Sequence, residues 1–162
     1  MSATLKPKVL FIGFGHLAKS LLSKKLLNSV NIHALNSKGV IKNINLKKKI
    51  LNFNNDYNYI FLLIRPKTFL TSGNQFQKYL SKETLVISCM AGIKLSTIEK
   101  TLKSKKIVRI MPNVMALNNK SQTHIYMKNK NLFDSKLKKI LSTFGTIINV
   151  RNEDQINFAT SV

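Results

Sequence analysis

The residues with the types and spacing best suited to chemistry lie at positions 13–18, with the sequence Gly-Phe-Gly-His-Leu-Ala. They match G-x-G-x-x-[G/A], directly after an apolar run at 8–12 and before a helical pattern. Gly13 permits a tight turn, Gly15 lets the backbone approach a pyrophosphate, and Ala18 allows close packing of helix on strand. The pyrophosphate would then lie at a helix N-terminus. This pattern favours dinucleotide binding over an ordinary tight turn, through Gly13, Phe14, Gly15, His16, Leu17 and Ala18.

The end of the second predicted strand indicates which dinucleotide is preferred. An NAD site usually places Asp or Glu about 20 residues after the glycines, where it binds the ribose 2′-hydroxyl. Here the residues are Asn36, Ser37 and Lys38, with no acid before Asp56. Asn36 and Ser37 can donate hydrogen bonds, and Lys38 adds positive charge. We therefore expect NADP(H) as cofactor, although Lys38 is one of 24 lysines, so the missing acid is the stronger argument.

Strand and helix patterns alternate along the chain, which is typical of βαβ units. Together they predict an α/β fold of one domain, 1–162: a Rossmann-like, doubly wound, mainly parallel sheet with helices on both faces. Residues 37–58 are the polar exception, predicted as a short helix plus loops, and Gly145 is predicted to end a helix. The predicted strands are 8–12, 31–35, 59–64, 84–88, 107–111, 123–127 and 146–150; the predicted helices are 17–27, 68–80, 95–102, 132–144 and 152–162.

The charge of the chain suggests an anionic partner, but its composition weakens that suggestion. Lys and Arg number 27 against 6 Asp and Glu, for a net charge of +21. Only 3 of the 27 are Arg, the residue preferred for base and phosphate recognition. We interpret most of this charge as a solvated lysine surface and expect no specific nucleic-acid partner.

Other classes of site and location are also disfavoured. No apolar run reaches 18 residues, so no membrane span is expected, and no secretory signal precedes Lys8. His16, His33 and His124 are widely spaced, and the single cysteine, Cys89, lies in an apolar run, so no metal site is expected. We expect a cytoplasmic protein.

Five segments, taken in order, resemble one family. Residues 13–18 resemble G-x-G-N-M-A, 61–67 (Phe-Leu-Leu-Ile-Arg-Pro-Lys) resemble F-L-A-V-K-P-Q, and 86–93 resemble I-I-S-x-A-A-G-I. Residues 109–113 (Arg-Ile-Met-Pro-Asn) are similar to R-V-M-P-N, and 144–160 resemble the run into a second domain. From about residue 8 to 162, the chain resembles the N-terminal, cofactor-binding domain of pyrroline-5-carboxylate reductase.

The resemblance implies hydride transfer from NADPH to a cyclic imine, which yields proline. The cofactor would supply the hydride and the protein would supply placement and a proton, so no catalytic residue is assigned. The resemblance adds cofactor-binding residues along the ribose and nicotinamide, further residues bordering the same site, and a substrate-adjacent loop: Ile64, Arg65, Pro66 and Lys67; Ala91 and Gly92; Met111, Pro112 and Asn113.

Two departures from the family leave the activity open. Val114 and Met115 stand where the family usually has Thr-Pro. Val162 is the last residue, where the family continues into a substrate-binding loop and a helical dimerisation domain. We therefore expect either a truncated or split reductase, with a partner chain supplying the helical domain, or a stand-alone NADP(H)-binding module without independent catalysis. A binder of anionic surfaces is the weakest alternative.

Overall fold

A single sheet of nine strands organises the computed structural model, which describes residues 5–158. The strand order is β4-β3-β2-β1-β5-β6-β7-β8-β9. The strands are β1 Lys8–Ile12, β2 Asn31–Leu35, β3 Ile41–Asn43, β4 Lys48–Ile50, β5 Tyr59–Leu62, β6 Leu85–Ser88, β7 Ile107–Met111, β8 Ser121–Tyr126 and β9 Gly145–Asn149.

Six α-helices and three short 3₁₀-helices connect the strands within residues 5–158. The α-helices are α1 His16–Ser20, α2 Lys24–Ser29, α3 Pro66–Ser72, α4 Leu95–Leu102, α5 Ser135–Ser142 and α6 Asp154–Phe158. The 3₁₀-helices are Gly73–Tyr79, Val114–Asn118 and Lys130–Leu132. No helix in this part of the chain is long and apolar enough to cross a membrane.

The centre of the sheet is parallel. β1 pairs in parallel with β2 and β5, β5 with β6, and β6 with β7, while β8 and β9 form a further parallel pair. Antiparallel pairing joins β2 to β3, β3 to β4 and β7 to β8. The carboxyl ends of β2, β1, β5, β6 and β7 therefore share one edge, where open α/β sheets bind ligands.

Side chains alternate between two hydrophobic cores, one on each face of the sheet. Phe11 of β1 packs in a cluster that includes Ala18 of α1, Leu26 of α2 and Leu137 of α5. The neighbouring Ile12 faces the opposite cluster, which includes residues of α3 and α4. Helices thus cover both faces, and the predicted Rossmann-like, doubly wound, mainly parallel fold is confirmed.

The predicted helix at 17–27 is wrong in extent, because two helices occupy that segment. α1 ends at Ser20 and α2 begins at Lys24. The hydroxyl of Ser23 accepts a hydrogen bond from the N–H of Leu26 at 3.2 Å, which caps α2 and starts a new helix. The helical spacing of leucines continues through this break, so the apolar pattern alone did not reveal it.

The predictions for 68–80 and 132–144 were also too long. α3 begins earlier, with Pro66 at its first turn, and changes to a 3₁₀-helix at Gly73. α5 begins only at Ser135, where Asp134 accepts the N–H of Leu137 at 2.8 Å. Residues 132–134 instead follow or end a separate 3₁₀ turn.

The prediction of a helix within 37–58 is wrong, since this segment forms the hairpin of β3 and β4. Asn45 fixes its turn: Oδ1 accepts the N–H of Ile32 at 2.8 Å, and Nδ2 donates to the carbonyls of Leu27 and Val30 at 3.0 and 3.1 Å. Strands of three residues are too short to show an alternating pattern.

Gly145 does not end a helix as predicted; it begins β9. Its φ is +139°, and a Cβ at this position would overlap the backbone of Ser121 on β8. Glycine is required here by the close approach of two strands. The predicted final helix is present as α6 up to Phe158, and Ala159 and Thr160, which belong to the resemblance, lie outside the described residues.

Candidate dinucleotide-binding site

Gly13 makes the turn that follows β1. Its φ is +102°, a left-handed value that favours glycine, and a Cβ would lie 2.8 Å from the carbonyl oxygen of Leu63. Its N–H donates to the carbonyl of Leu35 at 2.9 Å, and the N–H of Leu63 donates to that of Ile12 at 2.8 Å. The turn is therefore held between the ends of β2 and β5.

Gly15 has a different environment, because a Cβ there would meet nothing within 4 Å. Its φ of −93° is accessible to any residue. The glycine thus leaves open space above the backbone, as an approaching phosphate requires. It is the N-cap of α1 and makes no side-chain cap.

The other residues of the segment divide between surface and core. His16 is exposed, Phe14 and Leu17 are half-buried, and Ala18 is buried against the sheet, as its small size predicts. α1 has only five residues, so its dipole is weaker than that of the longer helix predicted at 17–27. Binding of an anion at this position would depend mainly on individual N–H groups of the turn.

The loop after β2 lies beside the glycine turn, since the carbonyl of Leu35 receives the Gly13 N–H. The side-chain oxygen of Asn36 accepts the N–H groups of Lys38 and Val40 at 2.9 and 3.0 Å. It therefore holds this loop, and only Nδ2 of Asn36 remains for a ligand. Ser37 and Lys38 are exposed.

The loops after β5 and β6 continue along the same edge. Ile64 borders the glycine turn, with its Cγ2 3.1 Å from the position of a Cβ on Gly13. Arg65 is the exposed N-cap of α3, Pro66 is half-buried at its first turn, and Lys67 is exposed. Ala91 and Gly92 are exposed after β6, where Gly92 has a φ of +73°.

The loop after β7 carries the predicted substrate-adjacent residues: Met111 is half-buried, Pro112 is buried and Asn113 is exposed. The Asn113 side-chain oxygen accepts the N–H of Met115 at 2.9 Å, and its own N–H donates to Ser121 Oγ at 3.1 Å. Asn113 thus caps the 3₁₀-helix Val114–Asn118, which packs against α1.

A buried charged group that was not among the predicted site residues lies beneath this edge. Arg109 on β7 is 1% exposed, and its Nη1 lies 2.9 Å from Oε1 of Glu153. Its Nη2 donates to Oδ1 of Asn157 at 2.9 Å and to the carbonyl of Met90 at 3.4 Å. Met90 directly precedes Ala91, so this cluster supports the loop after β6. The signal for this cluster in the sequence was an arginine within an otherwise apolar strand.

Among the described residues there is neither a reactive thiol nor a metal ligand set. Cys89 is buried, and burial raises its thiol pKa far above the ordinary range. Between residues 5 and 158, no three His, Cys, Asp or Glu side chains gather as a metal ion would require. The carboxyl-terminal edge of the sheet presents the backbone of the glycine turn, with exposed basic residues beside it.

The chain was compared with known proteins and with solved structures. No family model matches the chain. The pyrroline-5-carboxylate reductase of Staphylococcus aureus (strain COL) is 28% identical over 173 residues, which cover 96% of this chain and 62% of that protein. The chain is therefore similar to pyrroline-5-carboxylate reductases. It spans 62% of the length of these curated relatives.

Solved structures share the fold. A pyrroline-5-carboxylate reductase from Coxiella burnetii superposes with a TM-score of 0.71 at 23% identity, over 95% of this chain and 62% of that one. The Plasmodium falciparum pyrroline carboxylate reductase with NADP bound gives 0.70 at 20% identity, over 94% and 61%. These similarities show that the chain shares the fold of these solved structures.

Proposed function

We propose that the chain binds NADP(H) at the edge formed by the loops after β1, β2, β5 and β6, and that it serves the reduction of 1-pyrroline-5-carboxylate to proline. The observation that carries the proposal is the pair of glycines. Gly13 is sterically required by the turn, whereas Gly15 faces open space that a dinucleotide can fill. Similarity to pyrroline-5-carboxylate reductases along 96% of the chain supports the same function.

The preference for NADP(H) over NAD(H) is argued from charge. No acid follows β2, and the loop presents Nδ2 of Asn36, the hydroxyl of Ser37 and the ammonium of Lys38. The nearest carboxylate in sequence, Asp56, is engaged by Lys8 at 2.5 Å. A 2′-phosphate meets donors and a cation here, with no carboxylate to repel it.

The proposed reduction requires little of the protein beyond positioning the cofactor and the substrate. Bound NADPH would supply a hydride to the carbon of the C=N bond, while the nitrogen holds a proton. We infer that Ile64, Arg65, Pro66 and Lys67 position the ribose and nicotinamide, and that Ala91 and Gly92 border the cofactor. Met111, Pro112 and Asn113 would face the substrate.

A partner chain that supplies a helical domain is part of this proposal. The 3₁₀-helix beside the substrate-adjacent loop exposes three large apolar side chains, Val114, Met115 and Leu117, with Val114 55% exposed. Such a patch next to a site is typical of an interaction surface. The second candidate function is an NADP(H)-binding module without independent catalysis, which is favoured by Val114 and Met115 replacing Thr-Pro.

The test is oxidation of NADPH by the chain in the presence of pyrroline-5-carboxylate, with Gly15→Asp as the control variant. Turnover that is lost in Gly15→Asp supports the reductase. NADPH binding without turnover assigns the module instead. Absence of both contradicts the proposed function.

A further inference from the structure

A cavity of about 800 Å³ lies at the edge of the sheet opposite the glycine turn. It is lined by residues at the amino-terminal ends of β1, β2 and β5, together with residues of α2 and α5. β1 separates it from the glycine turn, and five residues of strand span roughly 13 Å. The proposed cofactor site therefore does not include this cavity.

The charges around the cavity are mainly positive. Lys6, Lys136 and Lys139 line it, and none of them forms an ion pair with a carboxylate within residues 5–158. A fourth lysine, Lys8, is neutralised by Asp56 at 2.5 Å, so that carboxylate is not available to attract a cation. A concave site with unpaired lysines focuses a positive potential.

Tyr59 provides a polar group inside this wall. Its side chain lines the cavity although the residue is only 6% exposed, and its hydroxyl has no hydrogen-bond partner among the described residues. Burial, and secondarily Asp134, raise the pKa of Tyr59 to about 12. The hydroxyl is thus a neutral donor, and Asp134 itself is engaged as the cap of α5.

Neighbouring side chains complete a set of donors. Asn28 at the end of α2 and Asn31 at the start of β2 line the same cavity, whereas the hydroxyl of the neighbouring Ser29 already donates to the carbonyl of Lys25 at 2.7 Å. Lysine ammonium groups, amides and a phenol together match the oxygens of a phosphate group better than they match a cation or an apolar ligand. The volume lies within the range of small-molecule sites, about 300–1,000 Å³.

We propose that this cavity binds the phosphate group of a small metabolite, held by Tyr59, Lys136 and Lys139. The concave shape and the volume of about 800 Å³ favour a small molecule over a nucleic-acid strand, which would need an extended groove. The site is independent of the proposed cofactor site, because it uses the other end of the same strands. One chain would then bind two anionic ligands at once.

The proposal is tested by titrating inorganic phosphate into the full chain at constant ionic strength, with Gly15→Asp included to remove the glycine turn as a phosphate site. We expect one saturable site in the wild type and in Gly15→Asp. Tyr59→Phe should weaken binding about three- to tenfold, the effect of one hydrogen bond. Lys136→Ala/Lys139→Ala should abolish saturation.

The matched control is Lys130→Ala/Lys138→Ala, which removes the same charge from positions that do not line the cavity. Binding that falls equally in both double variants would show general attraction to the basic surface and would overturn the proposal. Loss of binding in Gly15→Asp would show that phosphate binds at the glycine turn, and this result would also overturn the proposal. Displacement of phosphate by a single-stranded oligonucleotide would overturn the assignment to a small metabolite.

Discussion

Arg109 and Glu153 form an ion pair across 44 residues of sequence, with Nη1 of the arginine 2.9 Å from Oε1 of the glutamate. The same carboxylate oxygen accepts the N–H of Leu95 at the start of α4. One glutamate thereby links β7, α4 and the segment before α6. The side chain of Lys94, the N-cap of α4, makes no cap hydrogen bond, so Glu153 supplies the cap from a distant part of the chain.

Removal of Glu153 should therefore destabilise the fold strongly. Glu153→Ala leaves the guanidinium of a 1% exposed arginine without its counter-ion, and the Glu153 side chain is itself only 19% exposed. We expect a loss of about 2–4 kcal/mol in the free energy of unfolding. Urea denaturation at pH 7 measures it.

The control for this prediction is Glu83→Ala. Glu83 pairs with Lys106 at 3.2 Å, but its side chain is 86% exposed. Its loss should cost less than about 1 kcal/mol. Equal effects of the two variants would show that the Arg109 cluster does not contribute as a buried pair.

The two glycines of the turn should respond differently to alanine. Gly13→Ala forces a Cβ against the carbonyl of Leu63 at a φ of +102° and should cost at least about 2 kcal/mol. Gly15→Ala meets open space at an ordinary φ and should change stability by less than about 1 kcal/mol. Thermal or urea unfolding of both variants provides the measurement, and similar stabilities would contradict the turn geometry.

His33 should make stability depend on pH. Burial, and secondarily Lys8, lower its pKa from the ordinary 6.5, while its Nδ1 lies 2.7 Å from the Tyr57 hydroxyl. A histidine that is harder to protonate when folded binds fewer protons than in the unfolded chain. Stability should therefore fall as the pH decreases through 6.5 towards the folded pKa.

The measurement is the free energy of unfolding between pH 8 and 5 for the wild type and His33→Gln. The variant should show a flatter profile in this range. Asp56 contributes little to it, because a hydrogen bond from Lys8 lowers its pKa below the ordinary carboxylate range and keeps it charged. An unchanged slope in His33→Gln would contradict the assignment to His33.

The central strands were predictable because each is a short, mainly apolar run. β1, β2 and β7 occur with the predicted bounds, and β5 ends two residues earlier than predicted. Elements were missed where a single polar side chain decides the structure. Ser23 divides a helix, and Asn45 fixes a hairpin through bonds to residues 13 to 18 positions away. Hydrophobic periodicity does not contain such bonds.

The candidate site was also predictable where the sequence pattern is contiguous and not where a single side-chain contact decides the structure. The motifs after β1, β5, β6 and β7 were recognisable because each is contiguous in the sequence. The parallel topology then brings them together at one edge of the sheet. The use of the Asn36 oxygen within its own loop, and the support of Ala91 by Arg109 and Met90, depend on side-chain partners that only the folded chain reveals. The cavity at the amino-terminal ends of β1, β2 and β5 has no motif, because its lining comes from five separate segments.

The most direct test of the central claim is a binding titration with NADPH and NADH on the wild type and Gly15→Asp, followed by intrinsic fluorescence or calorimetry. We predict that NADPH binds at least about tenfold more tightly than NADH, a difference of about 1.4 kcal/mol, and that Gly15→Asp abolishes NADPH binding while the protein stays folded. Equal affinity for both cofactors would contradict the role of residues 36–38. NADPH affinity that is unchanged in a folded Gly15→Asp would contradict the dinucleotide site itself.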